Sequence, residues 1–513
     1  MRLLRWVLYA IGSAVFGLAL VAATLYIHYL RSGPEVEVWH STHLSEEFTA
    51  AKADSIRTLA DYFSLEDRLF AELDREVYAR VAPQDRVPFN RYNAGSLSDP
   101  RRWPRNWNRS FDLGPHDGAI AGALLLHGLT DSPYSLRSVG EHLAQRGVRV
   151  IGLRLPGHGT APSGLIDFRV EDMRAAVRLA MVDLRREVGE GRPIYMIGYS
   201  NGAALAVDYT LDQRESRDAL PAPERLILIS PAIAISRFAV VARIRTGLSS
   251  VPGLERAAWQ QIETEFDPYK YNSFSFNAAG QTHRLTSSLA RRIARLAEEN
   301  RLAGFPPVLA FVSTVDSTVH ADAVVDALLA HLPPEGHELV LFDVNRLANV
   351  QPLLVRDPGP LTGRLLAMPT RPYALSVITN ADSQTWQVHE LRSEAGSSSQ
   401  TTRLLGLQWP AGVFSLSHVS LPFPPDDPLY GYEVPDMTDT IRLGRVAVRG
   451  ENGVLALPSW VQTRQRSNPF HGYLLERIDE FIARPPSPRE PAKASSAPAS
   501  PPAAAAAGTP PST

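Results

Sequence analysis

The chain has 513 residues, of which 44% are apolar and 21% charged, a composition that excludes a largely disordered protein. A net charge of −2 leaves no basic footprint for nucleic acid, so no nucleic-acid partner is expected. With no cysteine, disulfide scaffolds, thiolate zinc sites, iron–sulfur clusters and cysteine nucleophiles are excluded together.

The first element is an uncharged run, Trp6 to Leu30, between Arg5 and Arg31. At ~1.5 Å per residue it reaches about 37 Å, more than the roughly 30 Å hydrocarbon core of a bilayer. Trp6, Tyr9, Tyr26 and Tyr29 sit near its ends, where amphipathic rings suit the membrane interface. A cleaved signal peptide ending at Val21-Ala22-Ala23 is the competing reading. Because the apolar run continues past that point, residues 6–30 are expected to be an uncleaved transmembrane anchor. Arg2 and Arg5 precede it, and Glu35 and Glu37 soon follow Arg31. The positive-inside rule therefore predicts a single-pass protein with a cytoplasmic N-terminus and the bulk of the chain outside.

Residues 31–115 read as a helical and irregular connection. Leu65, Leu69, Phe70, Leu73, Val77, Tyr78 and Val81 recur at helical spacing, with Ser64 and Asp67 resembling a capping box. The Pro-, Asn- and Arg-rich segment 82–115 is expected to be irregular.

From residue 116 to 483 short apolar runs alternate with amphipathic stretches. The runs are Ala119–Leu126, Val148–Leu153, Ile194–Gly198, Leu226–Ile229, Val308–Val312 and Glu338–Phe342. Continuous apolar runs suit strands buried on both faces, and helical patterns between them imply a parallel sheet. The fold class is α/β, with ligands expected beyond the carboxyl ends of the strands. Residues 232–305 and 344–411 are too long for simple crossovers and are expected to be insertions on this sheet. The first carries Phe238, Val241, Ile244, Leu248 and Trp259, and the second the strand-like runs Tyr373–Thr379 and Trp386–Leu391. Residues 484–513, rich in Pro and Ala, have nothing large to bury and are expected to form a flexible tail.

The chemistry concentrates at Gly198-Tyr199-Ser200-Asn201-Gly202. A strand runs into this G-x-S-x-G and a helical pattern follows, the context in which a serine is pushed out of the sheet on a strained turn. The flanking glycines are expected because side chains there would meet the neighbouring strand and helix. Two further motifs come earlier, Leu126-His127-Gly128-Leu129 at a strand end and Leu155-Pro156-Gly157-His158-Gly159.

With these three motifs in this order, residues 119–345 resemble the α/β-hydrolase family, specifically its lipase, esterase and monoacylglycerol-lipase-like members. The resemblance implies a mostly parallel sheet flanked by helices, with 232–305 in the place of the lid. It implies Ser200 as nucleophile and the backbone N–H groups of Leu129 and Asn201 as the oxyanion hole. His127 and His158 are expected to be structural. The family order of Ser, acid, His points to Asp316, which follows the strand Val308–Val312, with Asp343 as its competitor. For the base, His418 in Ser417-His418-Val419 fits the family pattern of a small residue followed by His-Val. His389 and His471 are the other candidates. His418 stands far beyond the usual position, so the insertion after Phe342 must loop out and return for a triad to close.

No H-E-x-x-H, P-loop or dinucleotide motif is visible, so neither a metal nor a cofactor is expected. The resemblance implies a serine carboxylesterase or lipase acting on small-molecule ester or lipid substrates; the charge pattern around residues 6–30 predicts that its catalytic domain lies outside the cytoplasm. Thioesterase, amidase, peptidase and acyltransferase activities use the same parts. A non-catalytic hydrolase-fold binding module, tethered to the membrane, is the alternative.

Overall fold

The computed structural model describes residues 2–216, 219–233, 255–434, 440–444, 448–458 and 460–485. Phe238, Val241, Ile244 and Leu248 of the expected lid, and the tail from residue 486, lie outside the described residues.

The centre of the protein is a ten-stranded sheet. Its strands are β1 (Phe111–Leu113), β2 (Ala121–Leu126), β3 (Val148–Leu153), β4 (Ile194–Tyr199), β5 (Arg225–Ile229), β6 (Val308–Ser313), β7 (His337–Phe342), β8 (Tyr373–Asn380), β9 (Gln387–Ser393) and β10 (Thr401–Gln408). The spatial order is β1-β3-β2-β4-β5-β6-β7-β8-β9-β10. Strands β2 to β8 are parallel, while β1, β9 and β10 run antiparallel to their neighbours. Every residue of β2 to β7 is buried. The period of two along β2 shows why: Leu124 and Leu126 enter one apolar cluster, Ala123 and Leu125 the other.

Helices cover both faces. On one lie α4 (Val170–Val188), α5 (Asn201–Glu215) and α6 (Phe276–Glu298), and on the other α3 (Arg137–Ala144) and α7 (His471–Ile482). The chain runs outward from β2 to β3 and then crosses back to β4. The carboxyl ends of β2 and β4 thus flank a topological switch point, where open α/β sheets bind ligands.

Three elements depart from the sequence reading. The helix expected from Ser64 is α2 (Leu59–Glu76), and its capping box is Thr58 with Asp61, not Ser64 with Asp67. The Asp61 N–H donates to Thr58 Oγ1 and the Thr58 N–H to Asp61 Oδ2, both at 3.0 Å. Asp67, one turn further on, pairs with Arg109. Within the segment expected to be irregular, Phe111–Leu113 forms β1 along β3. A Cβ on Gly152, which faces Phe111, would stand 2.2 Å from its ring, so the glycine makes room for this short strand.

The segment expected as a connection is also part of the core. Phe48, Tyr62 and Leu65 join the apolar cluster of β2 and β3. Beneath them Arg154 is wholly buried, donating to Glu66 at 3.0 Å and to both oxygens of Glu47 at 3.0 and 2.9 Å. Glu47 also accepts the Gly157 N–H at 3.0 Å.

The second insertion extends the sheet. Strand β8 lies parallel on β7, and the β9–β10 hairpin completes the edge. Most of β10 is exposed.

The N-terminal helix α1 (Arg2–Arg31) contains one stretch, Leu4–Ala22, long and apolar enough to cross a membrane. None of that stretch is buried against the rest of the protein.

Candidate active site

Strand β4 hands the chain to α5 through a single residue, Ser200, whose φ of 54° and ψ of −115° lie outside ordinary helix or strand geometry. The bend is possible only because its neighbours are glycines. A Cβ on Gly198 would stand 2.4 Å from the Ala203 backbone nitrogen, and one on Gly202 would stand 2.0 Å from the Leu126 carbonyl oxygen. The elbow is thereby pressed against both β2 and its own helix, and the serine side chain is turned out at the switch point. Ser200 keeps 9% of its surface.

His418 lies in a short helical turn after the second insertion. Its Nε2 is 2.9 Å from Ser200 Oγ, and its Nδ1 is 2.7 Å from Asp316 Oδ2. Asp316 follows β6, as expected, and its other oxygen accepts the N–H groups of Thr318 and Val319, both at 2.8 Å. Burial acts to raise the Asp316 pKa. The attraction and hydrogen bond of His418 and the two N–H donors outweigh it and hold the carboxyl below its ordinary value. The Tyr199 hydroxyl donates to the His418 carbonyl at 3.3 Å.

The other candidates lie elsewhere. Asp343 is engaged by Arg346 at 2.8 and 3.0 Å and by the Thr379 hydroxyl at 2.9 Å, as a strand-end cap. His389 faces Thr379 in the β8–β9 pairing. His471 is buried at the start of α7, where burial pushes its pKa down to about 4.

Leu129 lies three residues past the end of β2, and Asn201 is the first residue of α5, next to Ser200. Among the described residues neither backbone N–H has an acceptor. The Asn201 amide nitrogen turns to Met173 Sδ, 3.8 Å away, so the side chain points away from the serine. The Leu129 loop is held from outside. The Tyr271 N–H donates to the Thr130 carbonyl at 2.8 Å, and Lys270 Nζ lies 3.3 Å from Asp131. Thr130 itself has a φ of 66°. His127 is buried between two backbone partners, the Gly128 carbonyl at 2.9 Å and the Leu155 N–H at 3.0 Å. Burial, with His158 beside it, pushes its pKa well down. His158 bonds to the Pro156 carbonyl at 2.9 Å, and burial lowers its pKa to about 4. Both rings are neutral parts of the frame.

Two contacts had no signal in the sequence. Trp259, in the expected lid, packs edge-on against His40, with ring centroids 4.9 Å apart. Glu451, in an ordinary-looking Gly-Glu-Asn-Gly turn, is fully buried and accepts the His418 backbone N–H at 2.9 Å. Among the described residues no cluster of three His, Asp or Glu side chains could hold a metal ion.

The family model described as serine aminopeptidase S33 matches residues 118–344. The fold is that of the α/β hydrolases. The matched segment runs from the start of β2 to just past β7, and His418 lies outside it. Solved structures similar to this chain include a monoacylglycerol lipase from Paleococcus ferrophilus, at 19% identity. It covers 46% of this chain and 88% of that one, with a TM-score of 0.34. A soluble variant of monoglyceride lipase from Saccharomyces cerevisiae is 15% identical over 46% of this chain and 81% of that one, with a TM-score of 0.33. A lipolytic enzyme of metagenomic origin is 20% identical over 43% and 83%, with a TM-score of 0.33. No curated protein matches the chain.

Proposed function

We propose that this chain is a membrane-anchored serine hydrolase that cleaves carboxylic esters, of the carboxylesterase or lipase type, through Ser200, His418 and Asp316. One observation carries the reading: a single imidazole bridges Ser200 Oγ at 2.9 Å and Asp316 Oδ2 at 2.7 Å. A serine hydroxyl is a weak nucleophile until such a base takes its proton.

In this reading His418 Nε2 removes the Ser200 proton as Oγ attacks the ester carbonyl carbon. Asp316 accepts the Nδ1–H bond, which fixes the tautomer and stabilises the imidazolium. The negative charge that forms on the carbonyl oxygen meets the N–H groups of Leu129 and Asn201, the latter at the positive end of α5. Collapse breaks the ester C–O bond, and the leaving alcohol takes the proton from His418. Water, deprotonated by the same imidazole, then releases the acid and restores Ser200.

The anchor reading rests on Leu4–Ala22, with Arg2 before it and Arg5 at its first turn. It puts the N-terminus in the cytoplasm and the hydrolase outside. The test is a fluorophosphonate probe applied to membranes, followed by hydrolysis of nitrophenyl esters across acyl lengths. Labelling that vanishes in Ser200→Ala is the expected result. Folded protein that never labels would identify a binding module instead. Protease added to spheroplasts should digest the body of the chain, and its protection would reverse the topology.

A further inference from the structure

His418 lies outside the segment that carries the family motifs, so its loop needs support that those motifs do not supply. We propose that Glu451 is the positioning residue that fixes His418, by clamping the histidine loop to the acid loop. The inference rests on the hydrolase reading above and adds to it a residue from the far end of the chain.

The Glu451 carboxylate is fully buried and meets four donors. Oε2 accepts the backbone N–H of His418 at 2.9 Å. Oε1 accepts the Ser317 hydroxyl at 2.6 Å, and Arg464 Nε and Nη2 at 3.0 and 2.6 Å. A carboxylate offers about four lone-pair sites; here three donors converge on Oε1 and the His418 N–H has Oε2 to itself. Ser317 immediately follows Asp316. The two oxygens of one side chain therefore tie the residue that carries the base to the neighbour of the acid. Arg464 supplies the opposite charge that a buried carboxylate needs, and its Nη2 reaches on to Thr318 Oγ1 at 3.3 Å.

The backbone around Glu451 is fixed just as closely. Its N–H donates to Ser415 Oγ at 2.8 Å, and Gln462 Nε2 donates to its carbonyl at 2.8 Å. Residues 449–450 pair with 463–464, and Arg449 bridges to Val413. A Cβ on Gly450 would stand 2.3 Å from the Phe414 ring, so the two segments lie in close contact. Together these contacts make residues 449–451 and 462–464 a splint for residues 413–418. The bond to His418 is to its main chain, which leaves both ring nitrogens to Ser200 and Asp316.

The variants Glu451→Gln, Glu451→Ala and Ser317→Ala test the proposal in the full-length protein. Glutamine keeps one acceptor oxygen but presents an amide nitrogen to the other donor, so it should fall between wild type and alanine. Misplacing a catalytic group by about 1 Å costs on the order of 10²-fold in rate. We expect Glu451→Gln to lower kcat on a short-chain nitrophenyl ester by about 10- to 100-fold, with KM within about twofold. Ser317→Ala should add little in the Glu451→Gln background. Fluorophosphonate labelling of Ser200 should slow in step with kcat. Backbone amide exchange of residues 413–420 should accelerate in Glu451→Gln while that of β4 stays unchanged, a readout independent of turnover. Wild-type kcat, labelling rate and exchange in a folded Glu451→Gln protein overturn the proposal, and so does a loss confined to melting temperature. Failure of the hydrolase reading registers separately, as wild-type protein that does not label, and the exchange measurement still decides the clamp.

Discussion

Asn345 and Val413 are 68 positions apart, yet the Asn345 side-chain amide donates to the Val413 carbonyl at 3.1 Å. The Asn345 backbone N–H donates to the neighbouring Phe414 carbonyl at 2.7 Å. The chain thus leaves the sheet after β7, builds β8 to β10, and returns to its point of departure. The segment leading to His418 is thereby returned to Asn345, three residues past the end of β7.

Asn345→Ala removes the side-chain half of this closure and leaves the Val413 carbonyl unpaired in a buried place. The expected cost is about 1–3 kcal/mol, read by urea denaturation. Ester hydrolysis should fall further than the shift in the folded population explains, because the freed segment carries His418.

Asp316→Asn should keep the fold but present an amide to His418, favouring the wrong tautomer. A loss of about 10⁴-fold in kcat is expected, with KM little changed. Stability carries its own sign. The Asp316 carboxyl is held below its ordinary value, so the ionised form binds the folded state better. That contribution is complete above the unfolded pKa of about 3.9 and is lost as pH falls through the depressed value. The stability gap between wild type and Asp316→Asn should therefore be open at pH 7 and close as pH falls through the depressed value. A gap independent of pH would refute the assignment.

Gly202→Ala places a methyl 2.0 Å from the Leu126 carbonyl oxygen and 2.5 Å from that of His127. Backbone atoms in a buried strand cannot swing aside as a side chain would. The substitution should exceed the usual 1–3 kcal/mol of overpacking and abolish labelling of Ser200. A urea midpoint within experimental error of wild type would show that the elbow is looser than described.

Arg154→Leu strands the carboxylates of Glu47 and Glu66 without their cation. Breaking a buried pair in this way costs about 3–5 kcal/mol. Adding Glu47→Gln and Glu66→Gln should restore a large part of it, because the charges themselves are then gone. Thermal melts of the single and triple variants check this.

Much of this architecture can be read from one-dimensional pattern because the responsible forces are local. Strands β2 to β7 declare themselves as predominantly apolar runs since both faces are covered. The elbow is legible because two glycines and a serine stand at fixed spacing between a strand and a helix, although Gly202 answers to Leu126 on another strand. The Ser-His-Val triplet singled out His418 despite its distance, and the structure brings it to Ser200 and Asp316. Features that depend on distant partners are not legible. Strand β1 is three residues long and exists because Gly152 makes room for Phe111. Ser64 and Asp67 mimic a cap that Thr58 and Asp61 provide six residues earlier. Glu451 has four donors from three separated stretches, and nothing in its own neighbourhood announces them.

Ser200 and His418 lie 218 positions apart, and Glu451 comes later still. A nascent polypeptide on the ribosome therefore displays its elbow serine long before the imidazole that activates it has been translated. A product cut short by a premature stop between codons 203 and 418 carries the elbow residues and no base to activate them.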